Sequence, residues 1–146
     1  MYSADELAGG VRALARVARM LERSTSELSF GHYRILTSIA SGHERAAAIA
    51  TLLSLGRPTV SAAVDSLARR GLLTRAATDA DGRVRSLALT PSGVDLLHRV
   101  EAAMTERLAV LCDNAPDGEA LLRALVHMGE ALDAVHADHR RARDAR

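Results

Sequence analysis

The chain has 146 residues, 48% hydrophobic and 25% charged, with a formal net charge of +1, which suits one globular domain, or one with a dimerisation extension, and excludes a disordered or fibrous polymer. Three aromatic side chains, Tyr2, Phe30 and Tyr33, are too few for the stacking platforms that bind single strands or RNA. All 19 Lys or Arg positions are arginine, so arginine by itself marks composition, and the placement of charge along the chain carries the information.

Leu7, Val11, Leu14, Ala18 and Leu21 recur at alternating spacings of four and three, which predicts a helix over residues 4–26 with a narrow, coiled-coil-like apolar stripe. A second helix is expected over residues 29–40, with Phe30, Tyr33, Leu36 and Ile39 on its apolar side, broken by Ser41-Gly42. Residues 46–53 read as a short Ala-rich helix, Ser54-Leu55-Gly56 as a tight turn, and residues 57–70 as a further helix stopped by Gly71. The period then changes from helix to strand: residues 72–76 and 85–89 are short extended runs around a polar tip holding Asp81-Gly82, a hairpin signal. Thr90-Pro91 opens a long helix, Thr as N-cap and Pro in the first turn, with a stripe of Val94, Leu97, Val100, Met104, Leu108 and Leu111. After a break at residues 113–118, Leu121, Leu125, Met128, Leu132 and Val135 mark a last helix, with a charged tail expected to fray from about residue 137.

The predicted class is therefore mainly α with a small β-hairpin wing: a winged helix-turn-helix over residues 46–90, a linking helix over 91–113, and helical dimerisation segments at 4–26 and 117–137, all in one domain spanning 1–146. Two short helices joined by a three-residue turn and followed by a hairpin is the winged helix-turn-helix order. On the 57–70 helix, Val60, Ala63, Val64 and Leu67 share the core side, while Arg57, Pro58, Thr59, Ser61, Ala62, Ser66 and Arg69 lie on or beside the opposite one. These are mostly small residues, as a helix entering a major groove about 12 Å wide requires. Thr59 and Ser61 can hydrogen-bond phosphates or base edges, and Ala62 can touch a thymine methyl. Asp65, one turn before Arg69, is placed to hold it.

Between Gly56 and Thr90, six arginines against three aspartates leave +3, so the rest of the chain is net negative. Arg75, Arg83 and Arg85 supply the basic character of the hairpin, and a tip arginine suits insertion into a minor groove. Arg70, near a helix C-terminus, fits dipole pairing as well as DNA contact. Double-stranded DNA is the expected partner, and a winged-helix protein-interaction module without DNA binding is the competing reading.

Other chemistry finds little support. His43-Glu44 begins a metalloprotease-like string, but Ala47 stands where the second histidine belongs. No nucleophile elbow, phosphate loop or Cys-x-x-Cys occurs, and a chain ending at Arg146 leaves no room for a catalytic domain, so neither enzyme activity nor a cofactor is expected. His136 and His139, with Asp133, share a helix side but fall short of a closed metal site. Cys112 beside Leu108 and Leu111 reads as a small apolar residue and cannot form an intrachain disulfide. No apolar run approaches the ~18 residues of a membrane span, and Asp5, Glu6 and nearby arginines stand where a signal peptide would be apolar, so a cytoplasmic protein is expected.

The run Asp81-Gly82-Arg83-Val84-Arg85-Ser86-Leu87-Ala88-Leu89-Thr90-Pro91-Ser92-Gly93 resembles the Asp-x-Arg wing and Leu-Thr-x-x-Gly ending of the MarR family (multiple antibiotic resistance regulators). Thr59-Val60-Ser61, Val64-Asp65, Leu67 and Gly71-Leu72-Leu73 are similar to its recognition-helix signature, and Leu28-Ser29 with Tyr33-Arg34-Ile35-Leu36 to its second-helix opening. Ala62 departs from a commonly basic position, Gly82 from a basic wing tip and Gly56 from a usual Ser or Thr cap. The resemblance implies a transcription regulator, a ligand-responsive repressor whose homodimer grips a pseudo-palindromic operator through two winged lobes. The stripes at Leu7–Leu21 and Leu121–Val135, which have little to bury against in one small lobe, agree with pairing across a two-fold axis. The resemblance also implies a small aromatic or phenolic effector in a cleft between dimer base and DNA lobe, where Arg16, Met20, Phe30, His32, Tyr33 and Thr37 are the candidate lining residues.

Overall fold

A computed structural model describes residues 1–77 and 85–144. The described elements are α1 (Ala4–Glu22), α2 (Phe30–Ala40), α3 (Ala46–Leu53), α4 (Arg57–Arg69), β1 (Leu73–Ala77), β2 (Arg85–Leu89), α5 (Pro91–Asp113) and α6 (Gly118–Asp144). They fall into two compact units, Met1–Thr105 and Glu106–Arg146.

Helix starts follow local chemistry. Ser3 caps α1 in a capping box: its hydroxyl accepts the Glu6 N–H at 3.2 Å while the Glu6 carboxylate accepts the Ser3 N–H at 2.8 Å. The Ser3 backbone N–H, followed by its hydroxyl, lowers the Glu6 pKa. Ser29 caps α2 by accepting the His32 N–H at 3.2 Å. The first helix stops at Glu22, four residues earlier than its periodicity suggests, because the Ser24 N–H and hydroxyl both turn back to the Leu21 carbonyl. At the other end of the chain, α6 continues to Asp144 instead of fraying near residue 137; Arg141 and Asp138 lie one turn apart on it at 3.9 Å.

The core of the first unit draws on α2, α3, α4, the hairpin and the start of α5. Ile35, Leu36, Ile49, Val60, Leu67 and Val100 are its largest fully buried side chains. Ser54 takes a left-handed conformation (φ 53°) in the turn between α3 and α4, and Gly71 (φ 71°) ends the α4 region. The Leu72 N–H is spent on Leu67 and its carbonyl on the Thr90 N–H, so strand pairing begins one residue later than expected, at Leu73.

The strands pair antiparallel, Leu73 opposite Leu89, Arg75 opposite Leu87 and Ala77 opposite Arg85. One hairpin face is thus apolar at its base and carries arginine positions toward the tip. Thr90 fastens the base: its hydroxyl donates to the Gly71 carbonyl at 2.6 Å and accepts the Gly93 N–H at 3.0 Å. Gly93 is required there, since any Cβ would collide with the Leu72 backbone carbonyl.

In the second unit, Asp117 caps α6 by accepting the Ala120 N–H at 2.8 Å. Among its described side chains none is buried; Leu132 and Val135 are 55% and 51% exposed. Likewise α1 buries none, with Leu7, Val11 and Leu14 exposed. No helix among the described residues is long and apolar enough to cross a membrane.

Candidate nucleic-acid interface

Helix α4 divides cleanly around its axis. Val60, Val64 and Leu67 are buried, whereas Arg57, Pro58, Thr59, Ser61, Ala62 and Arg69 are exposed and Ser66 is half-buried. The expected outward set is therefore accessible on one helix, and its inner face is locked into the core. Gly56 occupies the N-cap without a side-chain hydrogen bond, leaving the first turn open to an external acceptor.

The hairpin is tied to this helix by a different arginine from the one expected to pair with Asp65. The Asp65 carboxylate accepts from Arg75 on β1, not from Arg69. Arg75 thus joins β1 to α4, and among the described residues Arg57 and Arg69 form no ion pair. Arg83 lies outside the described residues, and Arg85 is described only through its backbone in β2. His139 is likewise described only by its backbone in α6, so the expected His136–His139 grouping also lies outside the described side chains.

Two restraints escaped the sequence reading. Glu44, just before α3, accepts the Leu87 N–H through its carbonyl at 2.8 Å and the Ser86 hydroxyl through its carboxylate at 2.8 Å, pinning β2. The Ser86 contact spans 42 residues, so no local pattern announces it. Glu27, between α1 and α2, receives Arg70 on its carbonyl at 2.6 Å and Arg99 on its carboxylate at 2.9 Å. Arg99 holds the Glu27 carboxyl below its usual range. Partners 43 and 72 residues away leave no local pattern to read.

Of the expected effector residues, His32 lines a described cleft, and the others are placed as follows. Phe30 and Tyr33 stack at 5.8 Å between ring centroids and pack against the core. The Thr37 hydroxyl is directed to the carbonyls of Tyr33 and Arg34 within its own helix. Burial, then the charge of Glu101, pushes the Tyr33 phenol pKa up. Met20 is half-buried on α1 and Arg16 exposed there. His32 lies on another side of α2, in a cleft of about 420 Å³ that it shares with Thr59 and Ala62 of α4. Burial, then the charge of Arg70, lowers its pKa.

Residues 25–84 match the MarR family model. The transcriptional repressor CouR, solved bound to a 23-mer DNA duplex, is similar with TM-score 0.74 and 25% identity, covering 91% of this chain and 99% of that one. Wild-type MarR from E. coli in its apo form gives TM-score 0.71 at 19% identity, over 88% of this chain and 97% of its own. CouR from Rhodococcus jostii bound to p-coumaroyl-CoA gives TM-score 0.69 at 19% identity, over 86% and 87%. No curated protein matches the chain.

Proposed function

We propose that the chain is a MarR-family transcription regulator that binds double-stranded DNA as a homodimer, a reading supported by the match of residues 25–84 to the MarR family model and by the shared fold. Recognition helix α4 enters the major groove with Thr59, Ser61 and Ala62 toward the bases, flanked by Arg57, Pro58, Ser66 and Arg69. The wing arginines Arg75, Arg83 and Arg85 serve the sugar-phosphate backbone or the minor groove. The observation that carries this reading is the two-sidedness of α4: Val60 and Leu67 are fully buried, while small residues cover the accessible side.

The duplex held by CouR supports DNA as partner, and its designation as a repressor supports repression here. The p-coumaroyl-CoA held by CouR supports a small-molecule effector for this chain too. A second copy covers the exposed apolar stripes of α1 and α6, making residues 4–26 and 117–137 the dimer base within one domain, with 91–113 as the link. Two-fold symmetry then sets half-sites about 34–36 Å apart, an inverted repeat. A regulator of this kind works in the cytoplasm and needs neither cofactor nor catalysis.

The test is a fluorescence anisotropy titration of the purified chain against the duplex upstream of its own coding region, at several salt concentrations. Preference for an inverted repeat, with log affinity falling linearly against log salt, is expected. Binding that ignores salt, or no binding to any duplex, would favour the protein-interaction reading instead.

A further inference from the structure

The cleft beside α4 lies between the start of α2 and the exposed side of the recognition helix. Its walls combine apolar surface from Ile35, Leu55 and Ala62 with two nitrogen-bearing side chains, His32 and Arg34. No carboxylate lines it among the described residues. We propose that this cleft seats one sugar-phosphate strand bordering the major groove that α4 enters, with His32 and Arg34 facing the phosphates and the apolar wall against the deoxyribose. This rests on the DNA-binding reading and extends it to α2, assigning His32 to DNA instead of to an effector.

Charge and position select this occupant. Thr59 and Ala62 line the cleft and also belong to the face that meets DNA, so a strand flanking the groove passes over it. A sugar-phosphate strand alternates anionic and apolar surface, as the cleft alternates guanidinium, imidazole and hydrocarbon. One Arg34 nitrogen is engaged by the Leu53 carbonyl at 3.3 Å, which orients the guanidinium and leaves other N–H donors for a phosphate. The charged groups facing His32 are Arg34 on its own helix and Arg70 at the end of α4, while Thr59, Ala62, Ala63 and Leu55 are neutral. Burial and Arg70 disfavour the protonated imidazole, and an arriving phosphate favours it.

Gly31 allows a test that spares the fold, because it is exposed in α2 and a Cβ there meets nothing within 4 Å. Gly31→Glu, Gly31→Arg and Gly31→Gln differ in charge at one place in the cleft. Against Gln, the Glu variant is expected to bind every duplex roughly tenfold more weakly, and the Arg variant to steepen the salt slope by about one, with operator preference retained. Alongside, wild-type affinity is expected to rise between about pH 7.5 and about pH 5.5, and His32→Gln to remove that component despite the other five histidines. Equal affinities and salt slopes for Glu, Arg and Gln, as an uncharged occupant would give, overturn the proposal. So does a His32→Gln protein with the full pH response. If operator preference persists in those cases, the strand-seating proposal alone fails; if the wild type binds no duplex, the DNA-binding reading fails with it.

Discussion

Thr59 and Val60 are neighbours in sequence, about 100° apart around the helix, and the structure assigns them opposite fates. Val60 is 0% exposed, whereas Thr59 is exposed. Val60→Ala deletes two buried methyl-sized groups at ~0.8 kcal/mol each, and the residual cavity brings the cost to about 2–3 kcal/mol. That corresponds to a fall of roughly 5–10 °C in Tm. Thr59→Ala removes nothing from the core and is expected to change stability by no more than ~0.5 kcal/mol. On operator DNA the order reverses: loss of one hydroxyl contact costs about 1 kcal/mol, roughly a fivefold weaker Kd. Thermal unfolding at matched protein concentration, with duplex titration of both variants below their Tm, measures each side. A stable Val60→Ala protein with weakened operator binding, beside an unstable Thr59→Ala protein, would mean that α4 is rotated and the wrong side has been assigned to DNA.

Leu132→Asp places a charge on the stripe assigned to a second copy, and light scattering is expected to find monomers or insoluble protein; a soluble dimer of normal Tm refutes that assignment. Arg83→Ala is expected to weaken binding to all duplexes alike and flatten the salt slope by about one, and an unchanged slope counts against a wing contact. The Glu27 pKa is lowered, chiefly by the hydrogen bond from Arg99, so its contribution is present above the unfolded carboxylate range and fades as pH falls through the lowered value. The Tm difference between wild type and Glu27→Gln should therefore shrink toward zero below about pH 4; a difference that persists or grows in acid contradicts the pairing. Gly93→Ala drives a Cβ into the Leu72 carbonyl and is expected to lower Tm more than Gly129→Ala, where a Cβ meets nothing within 4 Å; equal Tm values would refute the close approach.

Short-range signals make most elements legible in the sequence. The 46–53 helix follows from its alanine run, the start of α5 from Thr90-Pro91, and the β2 bounds from the alternation around Leu87 and Leu89. The α4 face assignment followed from helical spacing, because a residue's side on a regular helix depends only on its separation from neighbours. Ties between separated segments were less accessible. Asp65 had two arginines within plausible reach, and local spacing favoured Arg69; the hairpin brought Arg75 closer, something that only strand-to-helix packing decides. The effector candidates rest on the family resemblance, which carries no information on how α2 is turned. Phe30, Tyr33 and Thr37 share one side of the helix, while His32, only two residues beyond Phe30, points into a different cleft.

The ties missed in the sequence constrain how a signal could reach DNA. Arg75 joins β1 to the middle of α4, Glu44 joins β2 to the entry of α3, and Arg70 joins the end of α4 to the segment before α2. Each exposed bond is individually weak, but they act on a framework whose core is already closed by Val60, Leu67 and Leu87. Bending α4 alone would therefore break several of them together and open buried surface around Val60 and Leu67. Displacing the whole reading unit costs none of these contacts. In the proposed dimer, an effector has the smaller free-energy demand if it shifts the population of lobe separations and leaves the helix itself intact. Hydrogen exchange in α4 should then stay unchanged on adding an effector that releases DNA; faster exchange at Val60, Val64 and Leu67 would show that the helix itself is remodelled.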